Sequence, residues 1–308
     1  MRALCAAAVL ALVGALAPGA SAQGRNVAVT FDDLPAPPSD LGSAVEITPR
    51  LLASIRGQGV PAIGFVNEGR LRADRRARTA QLRMWLDAGL ELGNHTYSHP
   101  SAHRTPLARY LDEIARGDSV TRVLMAERGA RPRFFRHPGL HTGRTLAYRD
   151  EVHRFLARRG YRVAPVTFDN QEWIFAIAYA SAAARADSAQ MRRIVDGYLR
   201  HMTESFAHFE VLSRTLFGRE IPQVLLLHAN RLNADHFDQV ATILRRRGYR
   251  FVRLEDALRD PAYASRDTYT GPMGLSWLER WAATRGMTLR QAPRQPAWVD
   301  SLASAGVR

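Results

Sequence analysis

The feature that most restricts the fold of this chain is an alternation that runs through most of its length. Short β-branched and apolar runs occupy residues 27–31, 62–66, 90–93, 134–136, 163–168, 224–227 and 251–254. Between most of them lie longer segments whose apolar residues recur every three or four positions, the period of a helix with one buried face. About seven strands alternating with helices predict an α/β fold with a parallel sheet. The strands read as apolar runs, so both faces are covered, which suits a barrel.

Local signals mark several helix ends. Thr48-Pro49 and Thr105-Pro106 read as a cap followed by proline at the first helical position. Gly160 and Gly248 read as helix stops, the latter closing a helix that begins near Asn233. Residues 174–220 form a long, Ala-rich, helical excursion before the sixth strand. A tail follows Pro261, with Gly271-Pro272 and then Trp277 and Trp281 four apart on a short helix. It is too short to hold its own core. The expected division is 1–22 as a targeting segment, 23–260 as the barrel and 261–308 as an extension packed on it.

The first residues carry the marks of export. Met1-Arg2 precedes an apolar run to Ala17, and Ala20-Ser21-Ala22 offers a small-residue cleavage site, so the mature chain is expected to begin at Gln23 in a secreted or periplasmic location. The run is short for a bilayer span, and no stable membrane insertion is expected after cleavage. Cys5, the single cysteine, lies in this segment. The mature chain then has no thiol, and any metal must be held by histidine and carboxylate.

A net charge of +14 arises from 43 basic residues, all of them Arg, against 29 acidic ones. The arginines are spread over the chain, with short clusters at 70–78 and 245–247 in helix-like segments where they suit a solvated face. A bias acting everywhere is not a patch built for phosphate, so no nucleic-acid partner is expected. A hydrophobic share of 46% excludes a disordered chain.

Chemistry concentrates where the strands end. In an α/β barrel the active site lies at the C-terminal rim of the strands. The first strand ends in Asp32-Asp33, and the third runs into His95, Tyr97 and His99. The fourth ends at Arg136 before Pro138-Gly139, the fifth delivers Asp169, Glu172 and Trp173, and the sixth ends on His228. Two adjacent carboxylates resist joint ionisation, and a bound cation relieves that repulsion. His95 and His99, four apart, place two imidazoles on one side of a helical turn, a spacing used for metal ligation. His103 extends the series by four more, so spacing alone leaves the ligand set open. One carboxylate with two imidazoles keeps coordination positions free for an activated water. Arg136 requires a partner if buried, and Asp32 is the natural one. Near a cation, His228 suits a general acid. The remaining histidines (His137, His141, His153, His201, His208 and His236) read as surface or loop.

Thr30-Phe31-Asp32-Asp33, His95-x-x-x-His99, Arg136-x-Pro138, Asp169-x-x-Glu172-Trp173 and Leu225-x-Leu227-His228 together resemble the five ordered motifs of the polysaccharide deacetylases with a NodB-homology domain, carbohydrate esterase family four. The resemblance spans residues 27–254. It implies a distorted (β/α) barrel of seven strands and metal-dependent removal of an N-acetyl group from a sugar polymer or oligosaccharide. It makes Asp33, His95 and His99 the metal ligands. Asp32 becomes the base toward a metal-bound water and His228 the acid for the leaving amine. Arg136 would hold Asp32 ionised, with Asp169 and Glu172 completing the catalytic group. Trp173 and Leu226 would line the pocket for the acetyl methyl, and the backbone N–H near Gly139 would help stabilise the oxyanion. Tyr97 joins these three in the substrate-binding set. The implied metal is Zn²⁺, with Co²⁺, Ni²⁺ or Mn²⁺ as substitutes. The implied partner is an acetylated glycan; the oligomeric state is not specified.

Two positions depart from the family pattern. Glu172 stands where an Asp usually precedes the Trp, so its longer side chain must approach His228 differently. Gly139 stands where an aromatic commonly follows the Pro, which opens one wall of the groove. Alternative readings are an amidase or O-acetyl esterase for another acyl group, and a non-catalytic glycan-binding barrel.

Overall fold

A computed structural model describes residues 24–288 and 290–306; the targeting segment expected at 1–22 lies outside them. Seven strands form one parallel sheet that curls into a distorted (β/α) barrel. They are β1 (Arg25–Leu34), β2 (Ile63–Val66), β3 (Glu91–Asn94), β4 (Phe134–Phe135), β5 (Arg162–Val163), β6 (Gln223–His228) and β7 (Tyr249–Phe251). The order is β5-β4-β3-β2-β1-β6, and β7 joins the N-terminal end of β1. β1 is the axis of the site. It is buried from Val27 to Leu34 and pairs with β6 from Val27 opposite Gln223 to Asp32 opposite His228.

The fifth run behaves differently from a simple strand. Pro165 has no N–H to give a ladder, so pairing to β4 stops at Val163. The chain then crosses to the other edge of the sheet. The N–H groups of Thr167 and Phe168 both donate to the Val224 carbonyl, and the Leu226 N–H donates to Phe168. One run thus touches both edges and draws the curled sheet toward closure.

Helices α1 (Ala44–Gly57), α2 (Arg75–Asp87), α3 (Leu107–Arg116), α4 (Ser119–Ala126) and α5 (Leu146–Arg158) join the first five strands. The excursion is two helices, α6 (Glu172–Ala184) and α7 (Ser188–Phe217), and α8 (Arg231–Arg246) follows β6. Asn230 caps α8 by accepting from the Asn233 N–H, so that helix begins at Arg231, two residues before the expected start. Thr48-Pro49 does not open a helix. A 3-10 turn at Pro38–Ser43 feeds α1 directly, which leaves Pro49 inside the helix.

After the short α9 (Leu254–Ala257), the tail contains α10 (Trp277–Thr284) and α11 (Ala297–Gly306). α10 packs on α7 and α11 packs on α6. Ser276 and Glu279 form a reciprocal capping box at α10. Buried Trp277, Leu278, Trp281 and Val299 bind the tail into the main apolar core.

Candidate active site

Backbone geometry at the strand ends assembles the site. Along a regular strand, neighbouring side chains point to opposite faces. Asp33 escapes this because its φ is +72°, and the β1–β2 register is irregular between Phe31 and Leu34. Both carboxylates therefore face His95, with Nε2 3.6 Å from Asp32 Oδ2 and 3.8 Å from Asp33 Oδ1. His95 and His99 are held by a loop and not by a helical turn. Thr96 and His99 adopt φ of +66° and +62°, and the Asn94 side chain accepts from the Thr96 N–H. The Asn67 amide braces the loop by donating to the His95 carbonyl at 2.5 Å. Left-handed backbone at non-glycine residues costs about 1–3 kcal/mol each. Asp33, Thr96, His99 and Gln171 all carry it around this one rim.

The donor set fits a cation. His95 Nδ1 lies 2.8 Å from the Arg136 carbonyl, so Nδ1 bears the proton and Nε2 presents a lone pair. Burial holds this imidazole well below its ordinary value, so it is neutral. A neutral nitrogen lone pair then faces two carboxylates with no proton between them. His99 Nε2 lies 3.6 Å from Asp33 Oδ1, an oxygen that is buried and accepts no aligned hydrogen bond. The ligand atoms of Asp33, His95 and His99 all lie within 4.8 Å of one another. This is the geometry of a divalent-ion site with open positions. His103 is excluded from it: its Nε2 lies 3.3 Å from the Thr270 carbonyl and its ring packs on His141.

Two charge pairs flank this cluster and set opposite proton states. Burial raises Asp32 to about 6 despite Arg136, whose Nη1 donates at 3.2 Å and 3.3 Å to its two oxygens. The fully buried Arg136 is itself satisfied by the Ala164 carbonyl and by Thr30 Oγ1. Opposite Asp32 across the β1–β6 pair, burial would lower His228, but Glu172 outweighs it and the imidazole rises to about 9. Glu172 Oε2 lies 3.0 Å from His228 Nδ1, and its Oε1 accepts from the His228 N–H, Asn230 and Asn233. The longer side chain reaches His228 from the first turn of α6. Burial also raises Asp169 to about 6, with Glu279 of α10 adding to the effect.

One cavity of about 1020 Å³ contains Asp32, Asp33, His95, His99, Asp169, Glu172 and His228. Trp173, Leu226 and Gly139 also line it. Gly139 has φ +57°, and the missing aromatic wall is occupied by the tail: a Cβ on Gly274 would fall 1.9 Å from the Gly139 carbonyl oxygen. Met273 and Gly274 therefore close that side of the cavity. Tyr97 is not among the residues lining it; its ring lies under Arg116, 4.1 Å from the guanidinium carbon.

Four residues of the Arg-rich cluster and the histidine set differ from the sequence reading. Arg70 is turned inward from its Arg-rich cluster, with Nη2 3.1 Å from Asp33 Oδ1 and Nη1 donating to the Asp33 and Ala36 carbonyls. Together with the imidazoles it outweighs burial and holds Asp33 well below the usual carboxylate range. Arg78 is likewise buried. His137 and His201 are buried and not surface groups: His137 sits against Tyr110 and Phe135, and His201 Nε2 lies 2.6 Å from the Asn170 carbonyl. Nothing in the spacing of these residues marked them. Asn230-x-x-Asn233 did carry a signal, the cap spacing that opens α8.

Residues 19–164 match the family model described as polysaccharide deacetylase, a little under half of the chain. The match covers β1 to β5; the strand ends bearing Asp169, Glu172 and His228 lie beyond it. No curated protein matches the sequence. Among solved structures, a wild-type carbohydrate esterase family 4 pseudoenzyme from Bacillus anthracis is similar at 17% identity and TM-score 0.51, over 77% of this chain and 66% of that one. A mutant of that pseudoenzyme with restored enzymatic activity has 19% identity and TM-score 0.51, over 77% and 68%. A polysaccharide deacetylase from Bacillus cereus has 18% identity and TM-score 0.50, over 74% and 91%. At these identities the likeness is one of fold.

Proposed function

We propose that the protein is a metal-dependent hydrolase that removes an N-acyl group, acetyl in the family's usual substrates, from a sugar polymer or oligosaccharide. The observation that carries this reading is the pair Asp32 and His228, opposite each other on adjacent strands and held in opposite proton states near neutrality. Environments that push two titratable groups apart mark a base and an acid. Asp33, His95 and His99 would hold the ion, Zn²⁺ by the character of two imidazoles and one carboxylate. Bound there, it would supply Lewis-acid polarisation of the scissile carbonyl and acidify the attacking water.

The chain's own residues do the rest. Asp32, kept ionised by Arg136, accepts the proton of the attacking water. His228, kept charged by Glu172, delivers a proton to the departing amine. Trp173 and Leu226 enclose the apolar end of the acyl group, and the Gly139 turn faces the carbonyl from the other side. A non-catalytic glycan-binding barrel would not need an acid and a base tuned in opposite directions. We place the mature chain outside the cytoplasm, on the export signal at 1–22; the N-terminal residue of the exported protein tests this.

The test is acetate or amine release by metal-replete protein from acetylated chitooligosaccharides, peptidoglycan, acetylated xylan and aryl acetates. Asp32→Asn and His228→Ala should retain the metal and lose turnover. Full activity of Asp32→Asn would overturn the assignment of the base.

A further inference from the structure

The cavity that holds the acid–base pair extends well beyond the volume an acetyl group fills. One arm runs along α6, lined by Trp173, Ala176, Ile177, Ala180, Ser181 and Ala184. These positions recur at intervals of three and four, so they form one face of the helix. Eleven residues separate the first from the last, about 16 Å of wall at the α-helical rise. Pro37, Pro38 and Ser39, in the segment that leaves β1, line the same cavity.

Its chemistry differs from that of the rim. Every charged residue lining the cavity stands at a strand end or its adjoining loop, or in the first turn of α6; along the α6 arm the polar side-chain groups are the hydroxyls of Ser39 and Ser181 and the Trp173 indole N–H. Sugar hydroxyls buried against Ala and Ile would lose water without gaining partners. An alkyl chain loses nothing there and gains about 0.8 kcal/mol for each CH₂ removed from water. The arm opens beside Trp173 and Leu226, the two residues around the acyl end of the substrate, so it continues from the acyl carbonyl. It is built by the helical excursion between β5 and β6.

We infer that the α6 arm receives a medium or long unbranched acyl chain attached to the carbonyl that is hydrolysed, so that the substrate is an N-acylated amino sugar bearing a fatty chain. This rests on the hydrolase reading above and specifies its acyl group. The reaction stays balanced as hydrolysis. Water adds its oxygen to the carbonyl carbon, the C–N bond breaks, the nitrogen leaves as an amine with the proton from His228, and a fatty carboxylate is released.

The experiment is a chain-length series on metal-replete protein, using N-acetyl-, N-butanoyl-, N-octanoyl- and N-dodecanoyl-glucosamine, read as kcat/KM for amine release. The inference expects a rise of at least tenfold from acetyl to octanoyl. Ala180→Phe, a partly exposed site in the middle of the arm, should remove that rise and reverse the preference between dodecanoyl and acetyl. Calorimetric binding of dodecanoate should be lost in the same variant. If the variant does not fold, the wild-type series still decides. A flat or falling series with acetyl turned over overturns the inference and leaves the hydrolase reading standing. A preference instead for N-acetyl substrates with an alkyl aglycone also overturns it, since the chain would then lie on the wrong side of the scissile bond. No release from any substrate, aryl acetates included, overturns the hydrolase reading itself.

Discussion

Glu172→Gln tests the acid assignment most directly, because it removes one charge and nearly preserves shape. Burial alone would depress the His228 imidazolium; Glu172, 3.0 Å from Nδ1, reverses this and lifts it from 6.5 to about 9, with Asp33 and Asp32 adding less. The net lift corresponds to about 3 kcal/mol in favour of the charged imidazole. Since burial opposes the lift, the carboxylate must contribute more than that net. Without it, His228 should return to its ordinary value or below. An acid of that strength is protonated in about 3% of molecules at about pH 8, so kcat there should fall by about 30-fold or more, with a much smaller loss near pH 6. The assay is kcat against pH from about 5 to 10 on metal-replete protein, scored by amine release. The wild-type alkaline limb should lie near 9 and that of the variant near or below 6.5. A limb that stays near 9 in the variant refutes the reasoning. Stability supplies a second check. A group raised by folding stabilises the native state fully below its unfolded value, and that contribution is lost as pH rises through the folded one. The variant's deficit in unfolding free energy should therefore be largest below about pH 6.5 and shrink toward pH 9.

Two further perturbations probe the neighbouring charges. Arg136→Met leaves the buried Asp32 without its cation, a change that costs about 3–5 kcal/mol. The loss should grow between about pH 4 and pH 8, because Asp32 can escape by protonating only on the acid side; equal losses across that range in denaturant unfolding would contradict the pairing. His95→Ala and His99→Ala should each abolish binding of a divalent ion, as measured by metal content after dialysis, and retention of a full equivalent by either would remove that residue from the ligand set.

Strand ends were legible in the sequence because apolar runs stop where polar residues begin. That rule located Asp32, Asp33, His95, Arg136, Glu172 and His228 without reference to side-chain geometry. Spacing failed where the backbone leaves regular structure. His95, His99 and His103 are evenly separated, yet left-handed residues at Thr96 and His99 turn the first two inward, while His103 lies against the tail. Arg70 was indistinguishable from its exposed neighbours, because its partner Asp33 is 37 positions away. The split pairing of the fifth run depends on which edge Pro165 releases it to, a tertiary fact. Tyr97, two positions from both His95 and His99 in sequence, stacks under Arg116, as the loop turns between them.

The tail meets the cleft on two sides. α11 backs the helix whose other face forms the long apolar arm, and Met273-Gly274 seals the gap left at Gly139. Neither α11 nor Met273-Gly274 takes part in proton transfer, so these two contacts can vary without disturbing the chemistry, whereas Glu279 of α10 bears on Asp169. The width of the opening between its two contacts is nonetheless set by a single stretch of chain. Substrate range in this architecture can thus drift, or be redesigned, by altering α11 and the Met273-Gly274 turn alone, with the side chains of the acid–base pair left in place.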